Sequence, residues 1–225
     1  MGTDQFQRAR SPQAKLQREL AILEAARRLA TENSVREVTL TEIAAVVGMH
    51  KSAMLRYFET REEIFLRIAG TEWRDWSDEV CSRLSATEGA DGSWIAELLV
   101  TTLLERPMFC DLLVQAPLNL EKNVSLDSVR QFKLRAIAAN RSVAVELQRV
   151  AGLDLSAAVD VVTVATSMAG ALWQMAEPGP RLREFYRSDP QLSHAIVEVA
   201  PRLRRTIEAL VAGFPSTEPR WSADD

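Results

Sequence analysis

Two histidines and two cysteines in 225 residues leave little from which to build a metal centre or a nucleophile. His50 stands in a polar turn and His194 near the last helix, with no Ser/His/Asp grouping around either. The nine glycines form no phosphate-cradling loop. An enzyme is therefore not the reading, and neither a metal nor a cofactor is expected. Cys81 and Cys110 lack the close spacing of zinc ligands and any secretory context. Both read as buried small hydrophobes, with a disulfide or redox switch as the alternative. There is no signal peptide and no run of about 18 apolar residues free of polar interruption. This predicts a cytoplasmic protein without a membrane segment. Strand alternation, internal repeats and low-complexity tracts are also missing, which leaves an all-α chain.

Neither sign of charge dominates. The totals are 27 Lys/Arg and 31 Asp/Glu, net −4, which is the wrong sign for a chain coated in nucleic acid. The distribution is uneven, however. Residues 1–70 carry 11 basic and 9 acidic side chains, net +2, and the remainder carries 16 and 22, net −6. A mildly basic head on an acidic body suits a protein that presents one end to phosphate. Residues 1–10 read as a polar arm; Arg8 and Arg10 either reach a minor groove or are solvated charges of a loose tail.

The best-defined stretch is TLTEIAAVVGMHKSAMLRYFETREE, residues 39–63. Thr39 followed by Glu42 predicts a capping box. A short apolar helix follows, with Ile43, Ala44 and Val47 on one side, and Gly48 stops it. After Met49 and His50 a second short helix, KSAMLRYF, begins, and Thr60 with Glu63 opens a third. Two helices joined by a short Gly-containing turn form the helix-turn-helix layout, whose second helix enters a DNA major groove. Ile43, Val47, Met49, Met54 and Phe58 supply a small core. His50, Lys51, Ser52 and Arg56 remain as candidates for base edges or nearby phosphates; the alternative is a solvated face on an ordinary helical hairpin.

Around this stretch the periodicity predicts helices throughout. One runs from Pro12, with Ser11 as cap, to about residue 33. Another starts after Thr60 and continues to about Leu84, with Phe65, Ala69, Trp73, Trp76 and Val80 as its stripe. TEGADGS is a loop, Ser93 caps a helix over 94–106, and Pro107 starts a shorter one that Pro117 interrupts. Residues 126–151 form a helix stopped by Gly152. The helix over 156–175 is apolar nearly all round, so it must be covered on both sides: as the centre of a monomeric bundle or in a dimer face. Pro178-Gly179-Pro180 ends it. The last pattern, from Ile196 to Phe214, holds Pro201, which is expected to kink or split it.

The segment ILEAARRLA, the segment VTLTEIAAVVGM, the Tyr57-Phe58 pair and the opener TREEIF together resemble the TetR-type transcriptional regulators over residues 18–70. Beyond residue 70 the resemblance is one of architecture. Asn33 replaces a usual Gly, and His50, Ser52 and Leu55 replace the usual Ser, Gly and Tyr; Asn33 is expected to tolerate a left-handed turn. The resemblance implies an all-α fold of about nine or ten helices. A three-helix DNA-binding domain would span 11–60, an effector and dimerisation domain 61–214, and a flexible tail 215–225. It implies phosphate contacts by Thr39 and Tyr57, places Arg61 near the usual basic phosphate contact, and makes Thr41 a further candidate. It implies a homodimer pairing the helix at 156–175 and the C-terminal helix with their copies, a palindromic double-stranded operator, and repression. It also implies a small-molecule effector within the body. The lining candidates are Trp73, Trp76, Trp94, Met108, Phe109, Phe132, Met168 and Trp173, which would suit an apolar or aromatic ligand unless they are simply core. The rival function is a helical protein-interaction regulator that has lost sequence-specific DNA binding.

Overall fold

The computed structural model describes residues 12–214. Those residues form ten α-helices and no strand. The expectations for Ser11, for the arm with Arg8 and Arg10 and for the tail 215–225 lie outside the described residues.

The head comprises α1 (Pro12–Glu32), α2 (Leu40–Val46) and α3 (Lys51–Met54). The connector α4 (Arg61–Ser85) leads into the body: α5 (Gly92–Leu104), α6 (Pro107–Gln115), α7 (Leu126–Ala151), α8 (Leu155–Ala176), α9 (Pro180–Ser188) and α10 (Val199–Gly213). Short polar side chains set the starts. Thr60, Asp91, Ser125 and Asp154 each accept a backbone N–H from the first turn of the helix they precede, which satisfies donors that a helix start leaves unpaired. Gly48 and Gly152 both sit at φ +65° and close α2 and α7 as expected.

Five local expectations are corrected. Asp91, not Ser93, caps α5, with its carboxylate 2.8 Å from the Trp94 amide. Asn33 is not left-handed, because no non-glycine residue among those described has positive φ. The end of α1 closes instead when the Asn33 amide and side chain both donate to the Leu29 carbonyl, at 3.0 and 3.2 Å. After Gln115 the chain does not break at Pro117 but widens into a π-turn, Ala116–Leu120, where the Glu121 amide bonds back to Ala116. Pro180 starts the unforeseen α9 as its first residue. Pro201 neither kinks nor splits the last helix. It is the third residue of α10, in the turn whose N–H groups have no helical partner in any case.

In the body α4 lies along α7, α5 along α10, and α8 crosses α6, α7 and α10. The all-round apolarity of α8 is only partly used within the chain. Ala158, Val161, Val162, Ala165 and Ala169 are fully buried, whereas Ser156, Asp160, Thr163, Ser167 and Ala171 form an exposed stripe. By length and composition α8 could cross a membrane, with mean hydropathy 1.6, but half of that window is buried inside the fold. Gly170 allows the α6–α8 crossing. A Cβ there would stand 2.9 Å from Val114 Cγ2 and 3.1 Å from both the Cys110 carbonyl and Leu113 Cβ.

Gly170→Val should therefore lower stability by about 1–3 kcal/mol through overpacking. Gly89→Ala, with nothing within 4 Å of the added carbon, should stay within about 0.5 kcal/mol. Urea denaturation of the two variants beside the parent checks the contrast.

Candidate nucleic-acid interface

The 39–63 segment folds from its caps outward. The Thr39 hydroxyl accepts the Glu42 amide at 3.2 Å, and the Glu42 carboxylate accepts the Thr39 amide at 2.7 Å, which completes the capping box. The Thr39 hydroxyl also donates to the Glu42 carboxylate at 2.7 Å, and this bond first, then the Thr39 amide, holds the Glu42 carboxyl below its ordinary range. Gly48 turns the chain, and the Met49 amide bonds to the Ala44 carbonyl at 2.9 Å. Only four residues of the expected second helix, Lys51–Met54, are α-helical. The next turn tightens, with the Arg56 and Tyr57 amides bonding to the carbonyls of Ala53 and Met54. At Thr60 the pattern shifts by one residue: the Glu63 amide reaches the Thr60 hydroxyl, but the Glu63 carboxylate accepts the Glu59 amide at 2.6 Å.

Ile43, Ala44, Met54 and Phe58 are buried beneath the turn, and Val47 and Met49 are half-buried against them. His50, Lys51, Ser52 and Arg56 are exposed together on the other side, with Tyr57 half-buried at the edge. Thr39 and Thr41 are exposed at the start of α2. Leu55, beside the cationic group, is also exposed. Arg61 is differently occupied. Its Nε and one terminal nitrogen donate to the carbonyls of Val38 and Val35, its other terminal nitrogen pairs with Glu62 at 2.8 Å, and its guanidinium lies over the Phe65 ring. In this arrangement it braces the loop that enters α2.

That loop is held from the body as well. The Val35 amide donates to Asp111 Oδ2 of α6 at 2.8 Å. The other oxygen of Asp111 accepts from Gln174 of α8 at 3.1 Å and from Gln115 at 3.4 Å. A second link runs through Glu72 of α4, which pairs with Arg27 of α1 at 3.2 Å and with Arg106 at 3.6 Å; Arg106 also pairs with Glu79 at 2.9 Å. Both Asp111 and Glu72 are buried. Burial pushes both carboxyls above their ordinary range, opposed at Asp111 by the Val35 amide and at Glu72 by the two arginines. None of these residues was foreseen from sequence. Glu72 alone carried a signal, as a charged residue between Ala69 and Trp76 on the apolar stripe of α4.

The eight effector candidates do not gather around one space. Trp73, Trp76 and Phe109 meet at ring-centroid distances of 5.5–6.0 Å, and the Trp76 indole donates to the Thr102 hydroxyl at 3.1 Å. All three are buried. Trp94 stands apart and 39% exposed at the start of α5. Met108, Met168 and Trp173 are half-buried against the core. Phe132 lines a cleft of about 330 Å³ with Glu63, Ser128 and Arg135. A neighbouring cleft of about 450 Å³, between α1, α4 and α7, includes none of the eight. Burial pushes the Cys110 thiol up to about 12 and the Cys81 thiol up to about 11, which disfavours the thiolate at both.

Residues 22–68 match the family model described as bacterial regulatory proteins, tetR family. Residues 70–218 match that of the tetracyclin repressor-like C-terminal domain. No curated protein matches significantly. Among solved structures, FadR of Thermus thermophilus, a TetR family transcriptional repressor in complex with lauroyl-CoA, superposes with TM-score 0.57 at 19% identity, covering 90% of this chain and 97% of that one. A TetR transcriptional regulator from Rhodococcus sp. RHA1 gives 0.51 at 18%, covering 90% and 98%. A regulator of the TetR/AcrR family from Thermobifida fusca gives 0.50 at 20%, covering 88% and 99%. At these identities the likeness is one of fold.

A raised folded-state pKa means stability that is fully present below the unfolded value and lost as pH rises through the folded one. Glu72→Gln, uncharged at every pH, should accordingly gain stability relative to the parent as pH rises from about 4 to about 8. Urea midpoints at the two pH values measure this; a variant that instead loses ground over that range contradicts the assignment.

Proposed function

The chain belongs to the TetR family of bacterial regulatory proteins, and from that membership we propose that it is a repressor that binds a roughly palindromic operator as a homodimer and is released by a small apolar effector. One observation carries the DNA assignment: His50, Lys51, Ser52 and Arg56 are exposed on one side of a segment whose other side, through Ile43, Met54 and Phe58, is buried. Arg56 and His50 are assigned to base edges or adjacent phosphates, Lys51 and Ser52 to the same groove. Thr39, Thr41 and Tyr57 are assigned to the backbone. Arg61 supports them by fixing the loop before α2, with a phosphate reached only if it leaves that loop. The DNA-binding unit is taken as 11–60 and the effector and dimerisation unit as 61–214. The site of action is the bacterial cytoplasm, where the operator lies.

A single head holds DNA weakly, roughly 10⁻⁴ to 10⁻⁶ M for non-specific binding, and a second head on the next major-groove face supplies what is missing. The support for a partner is the exposed stripe of α8, where Thr163, Ser167 and Ala171 are small enough for a second helix to approach, and the equally small Ala209 and Ala212 exposed on α10. The effector is assigned to the body beneath α4, beside Trp73, Trp76 and Phe109. A shift of α4 there reaches the head through the Arg27–Glu72 pair.

Titration of the DNA beside the gene, against non-specific competitor and across salt, separates the contacts. Arg56→Ala should cost about 1–3 kcal/mol and relax preference at one base position. Tyr57→Ala should weaken all sequences about equally, and Lys51→Ala should lower the salt slope by about 1. Absence of specific retention at low salt would shift the reading to a protein-interaction regulator. Ser167→Arg places a charge in the α8 stripe. It should sediment as a monomer with unchanged helix content and lose operator affinity; a dimer by sedimentation moves the interface elsewhere.

A further inference from the structure

Three arginines converge on the 450 Å³ cleft between α1, α4 and α7: Arg67 and Arg74 from α4 and Arg135 from α7. The volume lies in the range of small-molecule sites. Their charges are unequally used. Arg74 is bound to its neighbour Asp75 at 2.7 Å. Arg67 meets Glu19 only at 4.0 Å and otherwise lies over the Phe58 ring. Arg135 has no ion pair or hydrogen bond among the described residues. It can lie across α4 because Gly70 leaves room there: a Cβ on Gly70 would stand 3.1 Å from Arg135 Cδ. Asp78 is the only carboxylate in the lining, and the apolar part is aliphatic, Leu20 and Leu23 of α1 with Ala138 and Ala139 of α7.

We infer that this cleft binds a small amphipathic organic anion, with its carboxylate or equivalent on Arg135 and Arg67 and its aliphatic part on Leu20, Leu23 and Ala139. The site is separate from the aromatic cluster of Trp73, Trp76 and Phe109. The unpaired guanidinium fork of Arg135, beside an Arg67 paired only loosely with Glu19, favours a planar oxyanion that accepts two hydrogen bonds, and the absence of any ring in the lining favours a chain over an aromatic body. The inference deepens the reading of the chain as a ligand-controlled regulator and rests on it for its consequence. The cleft is bounded by a head helix, the connector and a body helix. A ligand that favours one placement of α1 against α7 therefore shifts the head, and operator binding shifts ligand affinity by the same factor.

The probe is octanoate, titrated calorimetrically into the full-length protein, with octan-1-ol and octylammonium as controls. Octanoate should bind at one per chain, at least about tenfold more tightly than either control. Arg135→Gln should weaken it about tenfold, Gly70→Leu should abolish binding by displacing Arg135 and crowding the cleft, and Arg130→Gln, an exposed cation of α7 outside the lining, should leave it unchanged. Equal affinity for octan-1-ol, an unchanged Arg135→Gln or no heat with millimolar octanoate overturns the inference. Retention of the DNA beside the gene is read in the same samples. A chain that holds DNA but ignores octanoate overturns the cleft alone, whereas one that binds octanoate but no DNA overturns the regulator reading and leaves the cleft standing.

Discussion

The placement of the head on the body depends on two carboxylates taken out of water. Asp111 and Glu72 each carry a desolvation cost, and each is tolerated because donors from different elements converge on it: Val35, Gln115 and Gln174 on one, Arg27 and Arg106 on the other. Breaking one such partnership leaves an uncompensated polar group, which is costlier than the bond itself is worth. Apolar surfaces alone permit sliding, because they have no direction. Hydrogen bonds and ion pairs at 2.8–3.6 Å do not. The head is thereby given a defined register against α4 and α6 rather than a range of orientations, and Gln174 extends that register to α8, the helix proposed to meet the second subunit.

The local structure was largely legible, because capping is a short-range code. Thr39 with Glu42, Gly48 and Gly152 act within one helical turn of themselves, so the residues that determine the feature are neighbours in sequence. The misreadings have the same origin. Asp91 and Ser93 are both good caps two positions apart, and only the packing of α5 chooses between them. Pro201 breaks a helix when it lies inside and starts one when it lies in the first turn; apolar Ile196 and Val197 disguised which case applied. α9 is too short to show a period.

The long-range features were not legible. Nothing beside Asp111 in the sequence reveals that a loop 76 positions earlier will donate to it. Aromatic residues at helical spacing look alike along the chain whether they line a space or pack on one another; here Trp73 packs edge to face on Trp76 and Phe109. The arginines of the α1–α4–α7 cleft escaped for a related reason. Arg67, Arg74 and Arg135 are unremarkable surface cations along the chain and become a group only when α4 and α7 are laid side by side. Arg61 shows the reverse: a cation read as facing outward is drawn in by two backbone carbonyls.

α9 buries none of its residues in the single chain and leaves Leu182 and Phe185 exposed. Its helical form therefore rests on nine residues of backbone hydrogen bonding, a length that is marginal in water without tertiary support. Opening it exposes no core and disturbs neither head–body link. It is thus a unit of low local stability, tied to the turn at Pro190–Ala195 and, through Arg183, to Glu177 at the end of α8. In practical terms a protease cut, an inserted peptide or a fluorescent label there is expected to cost the fold little.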